Sequence, residues 1–139
     1  MKKLRPFFIL IPFLFGCFQT PVELENAEQP IMKVLENYFE GRRNADVDLL
    51  QETFLSSASL ETLDDKGNYI PITMEDYLQT VSNKGSVEVD TQVIYLSITH
   101  KIAIAQTRFD YGEVVYMDYL TLVKTNQGWK ISNKAFVKI

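Results

Sequence analysis

The sequence is short of the residues that most often carry chemistry. Of 139 residues, one is cysteine, Cys17, and one is histidine, His100. A single cysteine excludes an intramolecular disulfide. His100 falls in a predicted turn, where an imidazole is solvated, so the chain offers no Ser/His/Asp or Cys/His set and no zinc site of thiolates and imidazoles. Glycine is sparse: Gly67, Gly85, Gly112 and Gly128 each stand alone at a turn, which rules out a glycine-rich phosphate cradle. Asp64-Asp65 is an acidic pair inside turn chemistry rather than a calcium loop, and no metal or cofactor is implied. Basic residues number 14 against 18 acidic ones, a net charge of −4. Such a surface repels phosphate backbones, and nucleic acid is excluded as a partner. The main apolar run, Pro6 to Phe15, is interrupted by Pro12. It is shorter than the roughly 20 apolar residues a transmembrane helix needs.

That run still has a meaning. It follows the basic segment Met1-Lys2-Lys3-Leu4-Arg5 and precedes Gly16-Cys17, the layout of an export signal. Leu14-Phe15-Gly16-Cys17 resembles the bacterial lipobox, which implies cleavage before Cys17 and lipidation of that cysteine; the alternative is an uncleaved N-terminal anchor. The expected organisation is a signal peptide over 1–16, a polar tether over 17–29 and one domain over 30–139. The domain would sit in the cell envelope, in the periplasm or at the surface, held to the inner or outer membrane by its lipid. Losing Lys2, Lys3 and Arg5 would leave 11 basic residues against 18 acidic, a net charge of −7.

Within the domain, Ile31, Val34, Leu35 and Tyr38 repeat with helical period behind Pro30, a good first helical residue, and Gly41 is placed as the stop. Arg42-Arg43 reads as a solvated turn. A second helix should start from Asn44 or Asp46 and bury Val47, Leu50 and Phe54. Ala58 to Leu63, the turn Asp64 to Asn68, and Tyr69 to Ile72 read as a short hairpin with Pro71 on an edge. Thr73 with Asp76 resembles a capping box for a helix running to about Val81. Four β-rich stretches follow (Val87–Thr99, Ile102–Phe109, Val114–Lys124, Trp129–Val137), with connections short enough to force antiparallel neighbours. Helices first and sheet last make the fold class α+β.

Turn positions suggest a register. With Tyr111-Gly112 as a two-residue loop and Lys124 opposite Trp129, one sheet face carries Ala103, Ala105, Thr107, Phe109, Tyr116, Asp118, Leu120, Leu122, Ile131, Asn133 and Ala135. A polar group on such a face is costly unless paired or wet. Asp118 therefore either lines a cavity with Asn133, Tyr116 and Thr107 or accepts a hydrogen bond from a core tyrosine. The other face, with Val115, Met117, Tyr119, Thr121 and Val123, is apolar enough for a dimer interface or for a plain exposed sheet.

Tyr38-Phe39-Glu40-Gly41, Ser57-Ala58-Ser59-Leu60, Met117-Asp118-Tyr119-Leu120-Thr121-Leu122-Val123-Lys124 and Gly128-Trp129-Lys130-Ile131-Ser132-Asn133-Lys134 together resemble the nuclear transport factor 2-like superfamily, in its lumazine-binding branch. The resemblance runs from Ile31 to the C-terminus. It implies a cone-like fold of about three N-terminal helices on a curved, mostly antiparallel sheet, with a pocket at the open end and homodimers formed through the sheet. Ketosteroid isomerase belongs to the same superfamily; Tyr38 matches its helix-one tyrosine, but Thr62 stands where its proton-abstracting aspartate would be, and a threonine is no base near neutral pH. The expected function is a membrane-tethered module binding a small organic ligand through Tyr38, Thr62, Tyr77, Thr107, Tyr116, Asp118 and Asn133. The alternatives are an isomerase- or dehydratase-type enzyme using Asp118 and Tyr38, or a structural dimeric lipoprotein.

Overall fold

The computed structural model describes residues 21–139, with side chains from Asn26 onward. The segment read as an export signal, with Cys17, lies outside the described residues. Helix α1 spans Pro21–Asn44, α2 Val47–Thr53 and α3 Met74–Lys84; the strands are β1 Phe54–Leu63, β2 Tyr69–Ile72, β3 Asp90–Thr99, β4 Ile102–Asp110, β5 Val115–Thr125 and β6 Gly128–Lys138. Three helices pack on one six-stranded sheet of order β2-β1-β6-β5-β4-β3, antiparallel throughout except for the β1–β6 pair. The α+β reading holds.

Helix α1 begins nine residues before Pro30 and runs through part of the segment read as a tether. Pro30 lacks the N–H that would reach the Asn26 carbonyl, yet both residues are exposed, where a missing helix bond is least costly. Nor does Gly41 stop the helix, which continues to Asn44. A Cβ at Gly41 would lie 2.7 Å from Leu50 Cγ, so glycine is what lets α2 approach this closely. Ile31, Leu35, Tyr38 and Arg42 are all buried. Their spacing of four, three and four residues carries one helical stripe past Gly41, and Arg42 belongs to it rather than to a solvated turn.

The two remaining helices start as their caps require. Asp46 accepts from Leu49 N at 3.0 Å, and Thr73 Oγ1 accepts from Asp76 N at 3.0 Å while donating to Asp76 Oδ2 at 2.7 Å. Helix α3 ends at Lys84, one turn beyond the expected Val81, with Gly85 at φ 70° as its cap. Pro71 sits in β2 on the sheet edge, paired with Glu61.

The β4–β5 connection is longer than expected. Asp110 pairs with Val115, so Tyr111 to Val114 form the loop, and Thr107 faces Asp118 while Ala105 faces Leu120. A shift of two residues preserves which face each side chain takes. Ala103, Ala105, Thr107, Phe109, Asp118, Leu120 and Leu122 are accordingly buried beneath the helices.

The β5–β6 ladder departs from expectation in a way that matters more. Leu122 pairs with Ile131, but the next pair is Thr121 with Asn133, leaving Ser132 as an extra residue. This bulge reverses the alternation from Asn133 onward. Lys134 and Phe136 then share the helix-facing side with Leu120 and Asp118, and Asn133 and Ala135 turn to the outer face.

Candidate functional site

The bulge delivers a lysine into the core. Lys134, 6% exposed, reaches the space between α1, α3 and the sheet, where Asp118 is 1% exposed and Tyr38 fully buried. Lys134 Nζ donates to Asp118 Oδ2 at 2.9 Å and to Tyr38 Oη at 2.6 Å, and Tyr38 Oη donates to Asp118 Oδ2 at 2.5 Å. The ammonium also lies 4.6 Å from the ring centroid of Phe136 and 5.2 Å from those of Tyr38 and Tyr77, close enough for cation–π attraction. Burial pushes the Lys134 ammonium below its ordinary value even against the pull of Asp118. Burial, and then the Asp118 carboxylate, push the Tyr38 phenol well above its own. Burial also raises the Tyr77 phenol, so both tyrosines remain hydrogen-bond donors at neutral pH.

Above this triangle opens a cavity of about 320 Å³. Tyr77, Phe109, Tyr111, Tyr116 and Phe136 give it aromatic walls, and Arg42, Lys84 and Lys134 give it positive charge. A volume of about 300 Å³ or more, mostly apolar walls and a few convergent polar groups are what a small-molecule site requires. Two of its lining residues hold unmet hydrogen-bonding capacity: Arg42 Nη1 and the Tyr77 hydroxyl are buried without a partner. Arg42 Nη2 is engaged, donating to Tyr111 Oη at 3.0 Å. A buried donor left unmet costs about 1–3 kcal/mol, which makes both groups informative. A larger groove of about 540 Å³ runs between α2 and α3, but none of its lining side chains is buried and its only charge is Glu75. The smaller cavity is the candidate site.

Of the expected site residues, Tyr38, Tyr77 and Tyr116 line this cavity. Asp118 lies beneath it, covered by Tyr38 and Lys134, and accepts from a core tyrosine as one of the two readings allowed. A carboxylate so placed does not touch a molecule in the cavity, so the arrangement gives no support to Asp118 as a base. Thr107 is fully buried next to Asp118 on β4, its hydroxyl without a partner, and does not reach the cavity. Two further expectations need correction. Thr62 Oγ1 is committed to the Phe136 carbonyl at 2.7 Å and stays outside the cavity. Asn133 faces outward because of the bulge, and its Nδ2 donates to Ser59 Oγ at 2.9 Å and Glu61 Oε1 at 3.0 Å.

Sequence reasoning missed Arg42, Lys134 and Phe136. Arg42 carried a signal, being four residues after Tyr38 on the Ile31–Leu35–Tyr38 stripe. The two β6 residues carried none, since strict alternation assigns them to the wrong face.

Residues 26–137 match the sequence profile of the family described as "Putative lumazine-binding". The chain belongs to this family. Its fold is the nuclear transport factor 2-like one, shared with solved structures. A protein of unknown function from Shewanella baltica is 21% identical, with a TM-score of 0.77 over 88% of this chain and 98% of that one. One from Silicibacter pomeroyi is 15% identical, with a TM-score of 0.76 over 84% and 98%. One from Methylobacillus flagellatus is 19% identical, with a TM-score of 0.73 over 82% and 93%. No curated protein matches the sequence. At these identities the structural neighbours establish the fold alone, and the site is read from this family member's own residues.

The buried pair can be tested directly. Removing one partner of a buried ion pair leaves an uncompensated charge and costs about 3–5 kcal/mol. Urea unfolding of Lys134→Met should show a loss of that order. The double variant Lys134→Met/Asp118→Leu should lose clearly less than the Lys134→Met and Asp118→Leu losses added together, because both charges go together; losses that simply add would mean that the pair is not coupled.

Proposed function

We propose that this protein is a lipid-anchored envelope module that holds a small aromatic molecule in the cavity between α1, α3 and the sheet, without transforming it. The cavity itself carries the reading: rings on several sides, protonated phenols and cations at its base, and a volume suited to one bicyclic guest. Aromatic walls offer stacking area at little conformational cost, and Arg42, Tyr77 and Lys134 offer donors that fix orientation. The family's description as lumazine-binding points to the same class of guest. Catalysis finds less support, because the only buried carboxylate among the described residues, Asp118, is shielded from the cavity. Thermal-shift assays of the full chain against aromatic heterocycles and aromatic acids should find stabilising compounds. Val114→Trp, at the rim of the cavity, should abolish that shift and preserve the fold. Failure of every compound, or unchanged binding in Val114→Trp, would remove the cavity as the site.

Anchoring is proposed from Leu14-Phe15-Gly16-Cys17 and the basic-apolar segment before it. Fractionated cells should hold the protein in the membrane, and Cys17→Ser should release it to the aqueous fraction; an unlipidated Cys17 by mass spectrometry would refute the anchor.

We further propose a homodimer through the outer sheet face. Tyr95, Ile102, Ile104 and Tyr119 are each about half exposed there, Ile102 and Ile104 following one another along β4 beside Gln106, which pairs with both tyrosines. Contiguous apolar surface of this kind marks interaction sites. Sedimentation should give twice the chain mass for the native protein and the monomer mass for Ile104→Arg; a native monomer would refute the dimer.

A further inference from the structure

The cavity's charge is at odds with the protein's. The chain carries four more acidic than basic residues, yet Arg42, Lys84 and Lys134 line this one space, and among the described residues no carboxylate does. Asp118, beneath it, neutralises one of the three. Concentrating cations in an otherwise acidic molecule leaves the space electropositive, and a low-dielectric wall strengthens that field. The donors are as one-sided as the charge. Arg42 is 7% exposed and Tyr77 is 8% exposed, and among the described residues neither Arg42 Nη1 nor the Tyr77 hydroxyl has a hydrogen-bond partner.

From this geometry we infer that the guest is an aromatic carboxylate whose acid group is received by Arg42 and Tyr77, with Lys84 near the mouth. The inference rests on the cavity being the binding site and adds the chemical class of what it holds. A carboxylate accepts only, through two oxygens, and can meet two donors at once; a guanidinium nitrogen and a phenol are both suited to it. Arg42 is preorganised for the task. Its other terminal nitrogen is fixed by Tyr111 Oη, so little side-chain freedom is lost on binding. The rings of Phe109, Tyr116 and Phe136 would enclose the aromatic part.

Calorimetric titration of the full chain with benzoate, cinnamate and naphthoate, each beside its neutral amide, separates the charge from the ring. At least one acid should bind roughly tenfold or more tightly than its amide, as expected for a charge-assisted hydrogen bond. Tyr77→Phe, which removes one oxygen and keeps the ring, should cut that preference several-fold. Arg42→Gln should abolish the preference; circular dichroism confirms that each variant folds. Equal affinity of acid and amide, or a preference untouched by Tyr77→Phe, overturns the carboxylate assignment and leaves the cavity reading standing. No binding by any of the three pairs overturns both.

Discussion

Lys134 holds an ammonium group among aromatic rings, out of water, and everything proposed for the cavity depends on what satisfies it. Asp118 supplies the opposite charge, Tyr38 an oxygen acceptor, and Phe136 and Tyr77 the faces of their rings. Each partner comes from a different element, so the lysine ties α1 and α3 to β5 and β6 at one point. A buried charge of this kind is a doubtful source of net stability, since desolvation can exceed the Coulombic gain. What it adds is a geometric requirement: the helices must pack on the sheet so that all of these groups converge on Lys134.

The same arrangement decides what the cavity can recognise. Tyr38 and Lys134 spend much of their hydrogen-bonding capacity on Asp118 and on each other, whereas Arg42 and Tyr77 retain donors without partners. The lower layer is thus closed and rigid, and the layer above it is open and donor-rich. Small-molecule sites work best when a fixed base positions a few unmet groups, because the guest then bears less of the ordering cost. The shielding of Asp118 follows from the same layering, and it separates this site from one built for proton abstraction, where the carboxylate must meet its substrate.

The Ser132 bulge is what makes the layering possible. Were β6 to pair regularly without the bulge, Asn133 would stand opposite Leu120, and the polar group offered to the helices would be a neutral amide. With it, a cation takes that place and Asn133 closes hydrogen bonds to Ser59 and Glu61 on the outer face. Bulges that re-aim a side chain beside a functional site are a recurrent device in antiparallel sheets.

Much of this was legible in the residues alone. Capping at Asp46 and Thr73, the turn residues between strands and the β-branched stretches after Val87 determined the order and type of the elements, because those signals act within a few residues of chain. The burial of Tyr38, Thr107 and Asp118 followed from alternation and helical period, which survive a register shift of two. Tertiary structure alone decided the rest. Gly41 is a contact point for Leu50 rather than a helix end, and Pro30 is tolerated mid-helix, because packing and exposure override local preference. Lys134 faces inward because one unpaired residue in β6 reverses its period, and an insertion of that kind leaves no mark on composition, spacing or hydropathy until the partner strand is in place.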